Sequence, residues 1–362
     1  MVNRVIVVGG GVIGLSCAWS LTQTGHAVTL VAPSPGRDGA SWVAAGMLAP
    51  VTEVQFGEAA LTSLLLEGLP LWSSFAADLE AVSGRDIGFD QTGTLAVALD
   101  PSDRAVLGDL LTYQHSLGCQ AVRLAASACR TAVPSLSPAV CGGIEVAGDY
   151  QVDNRALLGA LMTACRGGGV EFVADTVVAV AAGPTVVLSD GSVLGTPGDA
   201  ILLAAGVGVG CIGGLDGAGL PEVRPVKGHI LRLGASPSVR ASLLPRTVRA
   251  LVHGRSIYLV PRQDGSVVVG ATMEEMGTDT TVRAGAVHQL LDDARTVIPA
   301  IDELTLLEAQ AGLRPATPDH MPCIRWTDVP GVAVATGHFR NGILLAPYTA
   351  QAVAALMDDA GL

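Results

Sequence analysis

Residues 5 to 14 read Val5-Ile6-Val7-Val8-Gly9-Gly10-Gly11-Val12-Ile13-Gly14, an apolar, β-branched run that breaks directly into Gly-x-Gly-x-x-Gly. Each glycine has a distinct physical task. Gly9 allows the sharp turn out of the strand, Gly11 lets the backbone approach a pyrophosphate, and Gly14 lets the next helix pack close to the sheet. The free N–H groups and positive dipole end of that helix then face the phosphates. With 45 glycines in 362 residues such spacings also arise by chance, so context decides. Leu15, Cys17, Ala18, Trp19 and Leu21 follow with helical apolar spacing up to Gly25, and Ala27-Val28-Thr29-Leu30-Val31 reads as a second strand. The βαβ unit has the right length for a bound dinucleotide.

The usual third part of this fingerprint is an acidic residue at the end of the second strand, where it holds ribose hydroxyls. Ala32-Pro33 stand there instead. Phosphate binding rests on the glycines and the helix, so the expectation is a dinucleotide site that is modestly weakened at its adenosine end.

At 362 residues the chain most simply divides into two domains sharing one crevice. Mean hydropathy is +0.48, yet the apolar stretches are short and punctuated by Gly, Pro and Asp; the longest, Ala200 to Leu215, falls short of a spanning helix. No basic segment followed by an apolar region and a cleavage site precedes the glycine motif, which argues against export. The cysteines at 17, 119, 129, 141, 165, 211 and 323 are odd in number and nowhere spaced as Cys-x-x-Cys, so neither a disulfide framework, a zinc site nor any other metal centre is indicated. A reducing cytoplasm is the expected compartment. The net charge of −12, without a basic cluster, makes nucleic acid and anionic membrane poor partners.

Further along, a helix over Arg155 to Arg166 is stopped by Gly167-Gly168-Gly169 and followed by strands at Val170 to Val173, Val177 to Ala181, Thr185 to Leu188 and Ala200 to Ala204. Asp190-Gly191 reads as a hairpin turn. The seven glycines between residues 206 and 219 suggest a long flexible connection, and residues 223 to 275 are rich in short strands and turns. Val332 onward reads as strand, Gly-containing turn and a helix over Thr349 to Met357 whose N-terminus points back at the cofactor. The fold class is therefore α/β: a Rossmann-like nucleotide domain (1–85, 147–222 and 310–362) interleaved with a sheet-rich substrate domain (86–146 and 223–309).

Six strings in this order span nearly the whole chain: Ala44-Ala45-Gly46-Met47-Leu48-Ala49-Pro50, Pro225-Val226-Lys227-Gly228, Tyr258-Leu259-Val260-Pro261-Arg262, Val269-Gly270-Ala271-Thr272-Met273, Ala311-Gly312-Leu313-Arg314-Pro315, and Gly337-His338-Phe339-Arg340-Asn341-Gly342-Ile343-Leu344-Leu345-Ala346-Pro347. In them the chain resembles the glycine oxidases of thiamine biosynthesis, within the D-amino-acid oxidase superfamily of flavoproteins. The last string is the longest and most specific. The resemblance implies a D-amino-acid oxidase-like fold, noncovalent FAD rather than NAD, and oxidation of a small amino acid to an imine.

The residues fit that chemistry independently. Arg314 follows the apolar Ala311-Gly312-Leu313, so its guanidinium needs an anion: a substrate carboxylate held bidentately, or an internal carboxylate in a structural ion pair. The resemblance assigns it to the substrate carboxylate, with Tyr258, otherwise readable as a buried structural tyrosine, giving a second hydrogen bond to the same group. It places Arg340 near both substrate and flavin, and His338, Phe339, Asn341, Gly342, Ile343 and Leu344 along the flavin pyrimidine edge, where N–H groups at a helix N-terminus stabilise negative charge. It maps Val12, Ile13, Ala32 and Pro33 to the pyrophosphate and adenine end, Ala40, Ser41, Ala45, Gly46 and Met47 to the loop crossing the isoalloxazine, and Val177 to a backbone contact with adenine. Met47 and Met273 either fill core or border the small substrate space.

Two further features set against the family pattern bear on substrate preference: Ala205-Gly206-Val207-Gly208 lacks a Trp or Ser after the glycine, and Ser256 stands where a histidine or polar residue can precede the tyrosine. Cys323 is near, but not at, the position where some sarcosine oxidases attach FAD covalently. The mechanism implied is hydride transfer from the substrate Cα to flavin N5, from an amine kept neutral by nearby arginines, followed by reoxidation by dioxygen. The imine is hydrolysed or passed on, which makes thiazole synthase a candidate partner; relatives also imply a homo-oligomer. The rivals are a D-amino-acid or sarcosine oxidase or dehydrogenase with another substrate or acceptor, and a flavin-binding protein without turnover.

Overall fold

Val5 to Val8 are apolar at every position because both faces of their sheet are covered, the condition under which a strand loses its alternation. The computed structural model describes residues 4–234 and 243–359. In it β1 (Arg4–Val8) leads into α1 (Val12–Gln23) and returns as β2 (Ala27–Val31), parallel to β1 with Val5 opposite Val28 and Val8 opposite Val31. The six-stranded sheet runs, in spatial order, Cys323–Trp326, Val332–Thr336, Ala200–Leu203, β1, β2 and Glu171–Val173. All neighbours are parallel except the outermost pair at Cys323–Trp326.

Val5 and Val7 pack into a core with α1 and the helices Asn154–Gly167 and Ala346–Asp359, whereas Ile6 and Val8 face a core shared with a three-stranded sheet of Val177–Ala181, Thr185–Leu188 and Val193–Leu194. Each of these four side chains, fully buried or nearly so, contributes roughly 1.5–3 kcal/mol. Because α1 is covered on most of its circumference, even Ser16 and Cys17 are buried.

The second sheet has eight strands in the order Thr305–Ala316, Arg224–Gly234, Ser266–Gly270, Arg255–Pro261, Thr247–Val252, Thr94–Ala98, Gly142–Val146 and Val122–Leu124. Only the Thr94–Ala98 and Thr247–Val252 pair is parallel. The strand Thr305–Ala316 runs across residue 310, the expected start of the last nucleotide-domain segment, and carries Arg314 into the second sheet. Residues 235–242 of the expected 223–309 segment, together with 1–3 and 360–362, lie outside the described residues.

The helix Asn154–Gly167 begins where Asp153 accepts hydrogen bonds from Arg155 N–H at 2.8 Å and Ala156 N–H at 3.0 Å, an N-cap that fixes its start. Two expectations are corrected. Residues 206–219 are not a free connection: Gly206–Cys211 forms a 3-10 helix, Gly213 exchanges backbone hydrogen bonds with Val178 and Val180, and Val209, Ile212, Leu215 and Ala218 are buried. The last helix starts at Ala346 rather than Thr349, because Pro347 needs no N–H partner in a first turn. Among the described residues no helix is long and apolar enough to cross a membrane.

Candidate active site

All the candidate residues except Gly14 and Leu344 line one cavity of about 840 Å³ that reaches from the N-terminus of α1 to Arg314. Gly9 adopts φ +115°, and a Cβ there would overlap the Ala204 carbonyl. A Cβ on Gly14 would overlap the Gly9 carbonyl oxygen, so Gly14 serves helix-on-strand packing and stands behind the cavity wall. Leu344 belongs to the core, where its carbonyl accepts from Trp72 Nε1 at 2.7 Å.

No acidic side chain occupies the first turn of α1, which leaves its dipole available to an anion. Val12 N–H donates to Ser41 Oγ at 3.0 Å and ties the glycine loop to the next one. That second loop is held from outside: Asn154 Nδ2 donates to the Ser41 and Trp42 carbonyls at 2.8 and 2.9 Å, and the buried Arg262 donates to the Ala45 carbonyl at 2.5 Å. Gly46, at φ +70°, leaves no room for a Cβ beside the Val152 carbonyl. The size, the glycine cradle and the unopposed helix end suit FAD. At the adenosine end Ala32, Pro33 and Val177 line the cavity, and so do Asp38 and Asp175, which sequence reasoning missed. Burial pushes the Asp38 carboxyl up, while the Ser189 hydroxyl and the Thr176 N–H hold Asp175 down.

At the far end the strand register explains the chemistry. Arg314 lies opposite Val226 and Gly312 opposite Gly228, while Tyr258 lies opposite Gly270. A Cβ on Gly228 would overlap the Arg314 guanidinium, and one on Gly270 would overlap the Tyr258 ring. Two glycines thus make space for one half-buried pair in the cavity wall. The Tyr258 hydroxyl is within hydrogen-bonding reach of Arg314, whose Nη1 also donates to the Thr272 carbonyl at 3.2 Å. Burial pushes Tyr258 up, against the pull of Arg314, and pushes Arg314 down. Among the described residues Arg314 forms no ion pair, so no internal carboxylate takes the anion's place.

Arg340 is placed differently. Its Nε lies 3.0 Å from Glu53 Oε2 and its Nη2 pairs with Glu58, so its charge is already balanced. Its Nη1 is buried without a hydrogen-bond partner among the described residues. Arg249, also in the cavity wall, pairs with Glu53 and is lowered to about 10 by burial. Sequence reasoning missed Arg249 and Glu53. Pairing outward from the His253-Gly254 turn sets Arg249 opposite Tyr258, a signal that was available.

The segment from His338 starts a short 3-10 helix and is not the N-terminus of the last α-helix. Phe339–Asn341 is a 3-10 turn with Phe339 at φ +48°, and the helix proper begins six residues later than Arg340, at Ala346. His338 is held neutral, its pKa lowered to about 3 by burial, with Nε2 2.9 Å from Thr349 Oγ1. Met47 is half-buried beside Tyr258, and Met273 is 59% exposed at the mouth. Cys323 does not line the cavity, whereas Cys211 does. Among the described residues no cluster of His, Cys, Asp or Glu could hold a metal ion.

Residues 4–356 match the family model described as FAD dependent oxidoreductase. The chain is 33% identical over 99% of its length to the bifunctional protein ThiO/ThiG of Nostoc sp., covering 53% of that protein, and so spans about half the length of the bifunctional relatives it matches. It is 31% identical to the glycine oxidase of Geobacillus kaustophilus, covering 98% of this chain and 92% of the relative. The crystal structure of glycine oxidase from Geobacillus kaustophilus superposes with a TM-score of 0.89 at 30% identity, over 99% of this chain and 95% of that one. Iminodiacetate oxidase from Chelativorans sp. follows at TM-score 0.86 and 25% identity, over 98% and 95%. With the glycine cradle, the two-sheet architecture and matches that span the chain, this protein belongs to the FAD dependent oxidoreductase family, of the glycine oxidase and ThiO type, and its cofactor is FAD.

Proposed function

We propose that the chain oxidises glycine, and with it sarcosine and small D-amino acids, to the imine, which water converts to glyoxylate and ammonia in the case of glycine. The observation that carries this reading is the half-buried Arg314 guanidinium in the cavity wall, with Tyr258 beside it and, among the described residues, no protein carboxylate paired with it. A partly desolvated cation of this kind favours an anion, and a planar carboxylate matches its fork. FAD supplies the two-electron acceptor when bound.

Arg314 and Tyr258 then fix the carboxylate, and the Thr272 carbonyl fixes Arg314. Arg249 and Arg340 are neutralised by Glu53 and Glu58, so among the described residues the substrate end of the pocket retains the uncompensated positive charge of Arg314 and suits a substrate with one carboxylate. The neutral His338 is already engaged by Thr349, which leaves positioning rather than a dedicated base as the source of rate. Arg314, the guanidinium without a paired carboxylate, disfavours an ammonium beside it and favours the reactive neutral amine.

Met47, Met273 and Arg340 border the substrate, and the remaining cavity residues hold FAD without a covalent bond. The division into a FAD-binding part (1–85, 147–222, 310–362) and a substrate-binding part (86–146, 223–309) belongs to the same proposal. So do dioxygen as acceptor, with hydrogen peroxide as product, a cytoplasmic homo-oligomer, and delivery of the imine to a thiazole synthase in thiamine biosynthesis, for which the ThiO/ThiG relatives are the support. The exposed Met273 at an open mouth favours a second reading, an oxidase or dehydrogenase of N-substituted glycines or larger D-amino acids. Rates on glycine, sarcosine, D-alanine, D-proline and glycinamide, with oxygen and with an artificial acceptor, separate the two. Turnover of glycinamide equal to that of glycine would overturn the carboxylate assignment.

A further inference from the structure

Lys227 and His229 lie on the strand Arg224–Gly234 and are fully buried, yet neither lines the cavity. Alternation along the strand sends Gly228 and Ile230 to the cavity and Lys227 and His229 to the other face. There they meet residues 271–283, the irregular segment between the strand Ser266–Gly270 and the helix Ala284–Val297. Lys227 Nζ donates to Asp279 Oδ2 at 2.9 Å and to the Thr281 carbonyl at 2.6 Å. The Lys227 and Glu274 backbones exchange two hydrogen bonds of 2.8 and 2.9 Å. His229 N–H donates to Thr272 Oγ1 at 3.0 Å, its Nδ1 lies 2.8 Å from the same oxygen and 3.1 Å from Glu274 Oε1, and its Nε2 accepts from Arg283 N–H at 3.3 Å.

The segment so held forms part of the substrate wall. Thr272, Met273 and Thr280 line the cavity, and the Thr272 carbonyl accepts from Arg314. An ammonium taken wholly out of water is costly unless paired, so a Lys at 227 keeps its place only while Asp279 and Thr281 stay docked.

We propose that Lys227 and His229 are positioning residues, which clamp segment 271–283 so that the Thr272 carbonyl orients Arg314 and thereby set the affinity for the substrate carboxylate without touching it. The inference rests on Arg314 being the carboxylate anchor. The test uses FAD-loaded protein: acetate is titrated against the visible flavin spectrum, and KM and kcat for glycine are measured, for Lys227→Met, Asp279→Asn and Arg314→Ala. Lys227→Met should raise the acetate Kd and the glycine KM about tenfold, as loss of one charge-assisted contact does, with FAD affinity unchanged and kcat within about twofold. Asp279→Asn, at the solvent end of the clamp, should move both in the same direction and carries the test if Lys227→Met does not fold. A purely structural role would lower the melting temperature while leaving acetate Kd and glycine KM at wild-type values, and that result overturns the inference. Acetate binding that survives Arg314→Ala would instead overturn the anchor on which it rests.

Discussion

Replacing Arg314 with alanine should cost the enzyme most of its activity while leaving FAD bound. The guanidinium is half-buried in the cavity wall, sits over Gly228, and has the Thr272 carbonyl and the Tyr258 hydroxyl as protein partners. A bound carboxylate would take two further hydrogen bonds from it. At about 1.5–3 kcal/mol for each bond to a charged group, the loss is roughly 3–6 kcal/mol. Truncation also opens space in which water can solvate the carboxylate, so the low half of that range is the better expectation, about 10²–10³ in kcat/KM. The assay is steady-state oxidation of glycine, with the FAD content of each preparation read from its visible spectrum. Arg314→Lys should fall between, since an ammonium replaces the charge but not the fork. A loss below about tenfold in Arg314→Ala with full FAD occupancy would refute the reasoning, because a guanidinium that holds the substrate carboxylate through two hydrogen bonds cannot be removed so cheaply.

Gly270→Ala places a Cβ where the Tyr258 ring lies, tilting the hydroxyl away from Arg314; the glycine KM should rise about tenfold with FAD content unchanged, and a wild-type KM would show that Tyr258 contributes no binding. Ala32→Glu restores an acid at the end of β2, and calorimetric FAD titration should show tighter binding; unchanged or weaker binding would mean that the ribose is held elsewhere, with Asp38 and Asp175 the acids in the cavity wall. His338, lowered to about 3 by burial, remains neutral in the fold while an unfolded chain protonates near pH 6.5. Stability from this residue is therefore fully present above about pH 6.5 and falls as the pH drops toward 3. Urea midpoints for wild type and His338→Gln should diverge least at low pH, and a pH-independent difference would contradict the burial argument.

The elements most legible in the sequence are those set by local physics. β1, α1 and β2 follow from an unbroken apolar run, glycines with separate steric tasks, and helical spacing. The strands Val177–Ala181 and Thr185–Leu188 follow from β-branched runs, and the turn at Asp190-Gly191 leads the second of them back into Val193–Leu194. Long-range geometry was not legible. The glycines after 206 suggest slack, but Val209 and Ile212 anchor them in the core shared by the six-stranded and three-stranded sheets. Arg314 and Tyr258 were identified through a family likeness; that Gly228 and Gly270 clear the space for them emerges only from the strand register. Glu53, which balances Arg249 and Arg340 and so determines how much positive charge the substrate meets, sits in a loop with no periodicity to mark it.

The central claim, that this flavoprotein oxidises glycine, is tested most directly by anaerobic addition of glycine to the FAD-loaded protein while the visible flavin absorbance is followed. Bleaching that recovers when air is admitted is the expected result, establishing both the substrate and the use of oxygen. Bound flavin that stays oxidised in the presence of saturating glycine would contradict it.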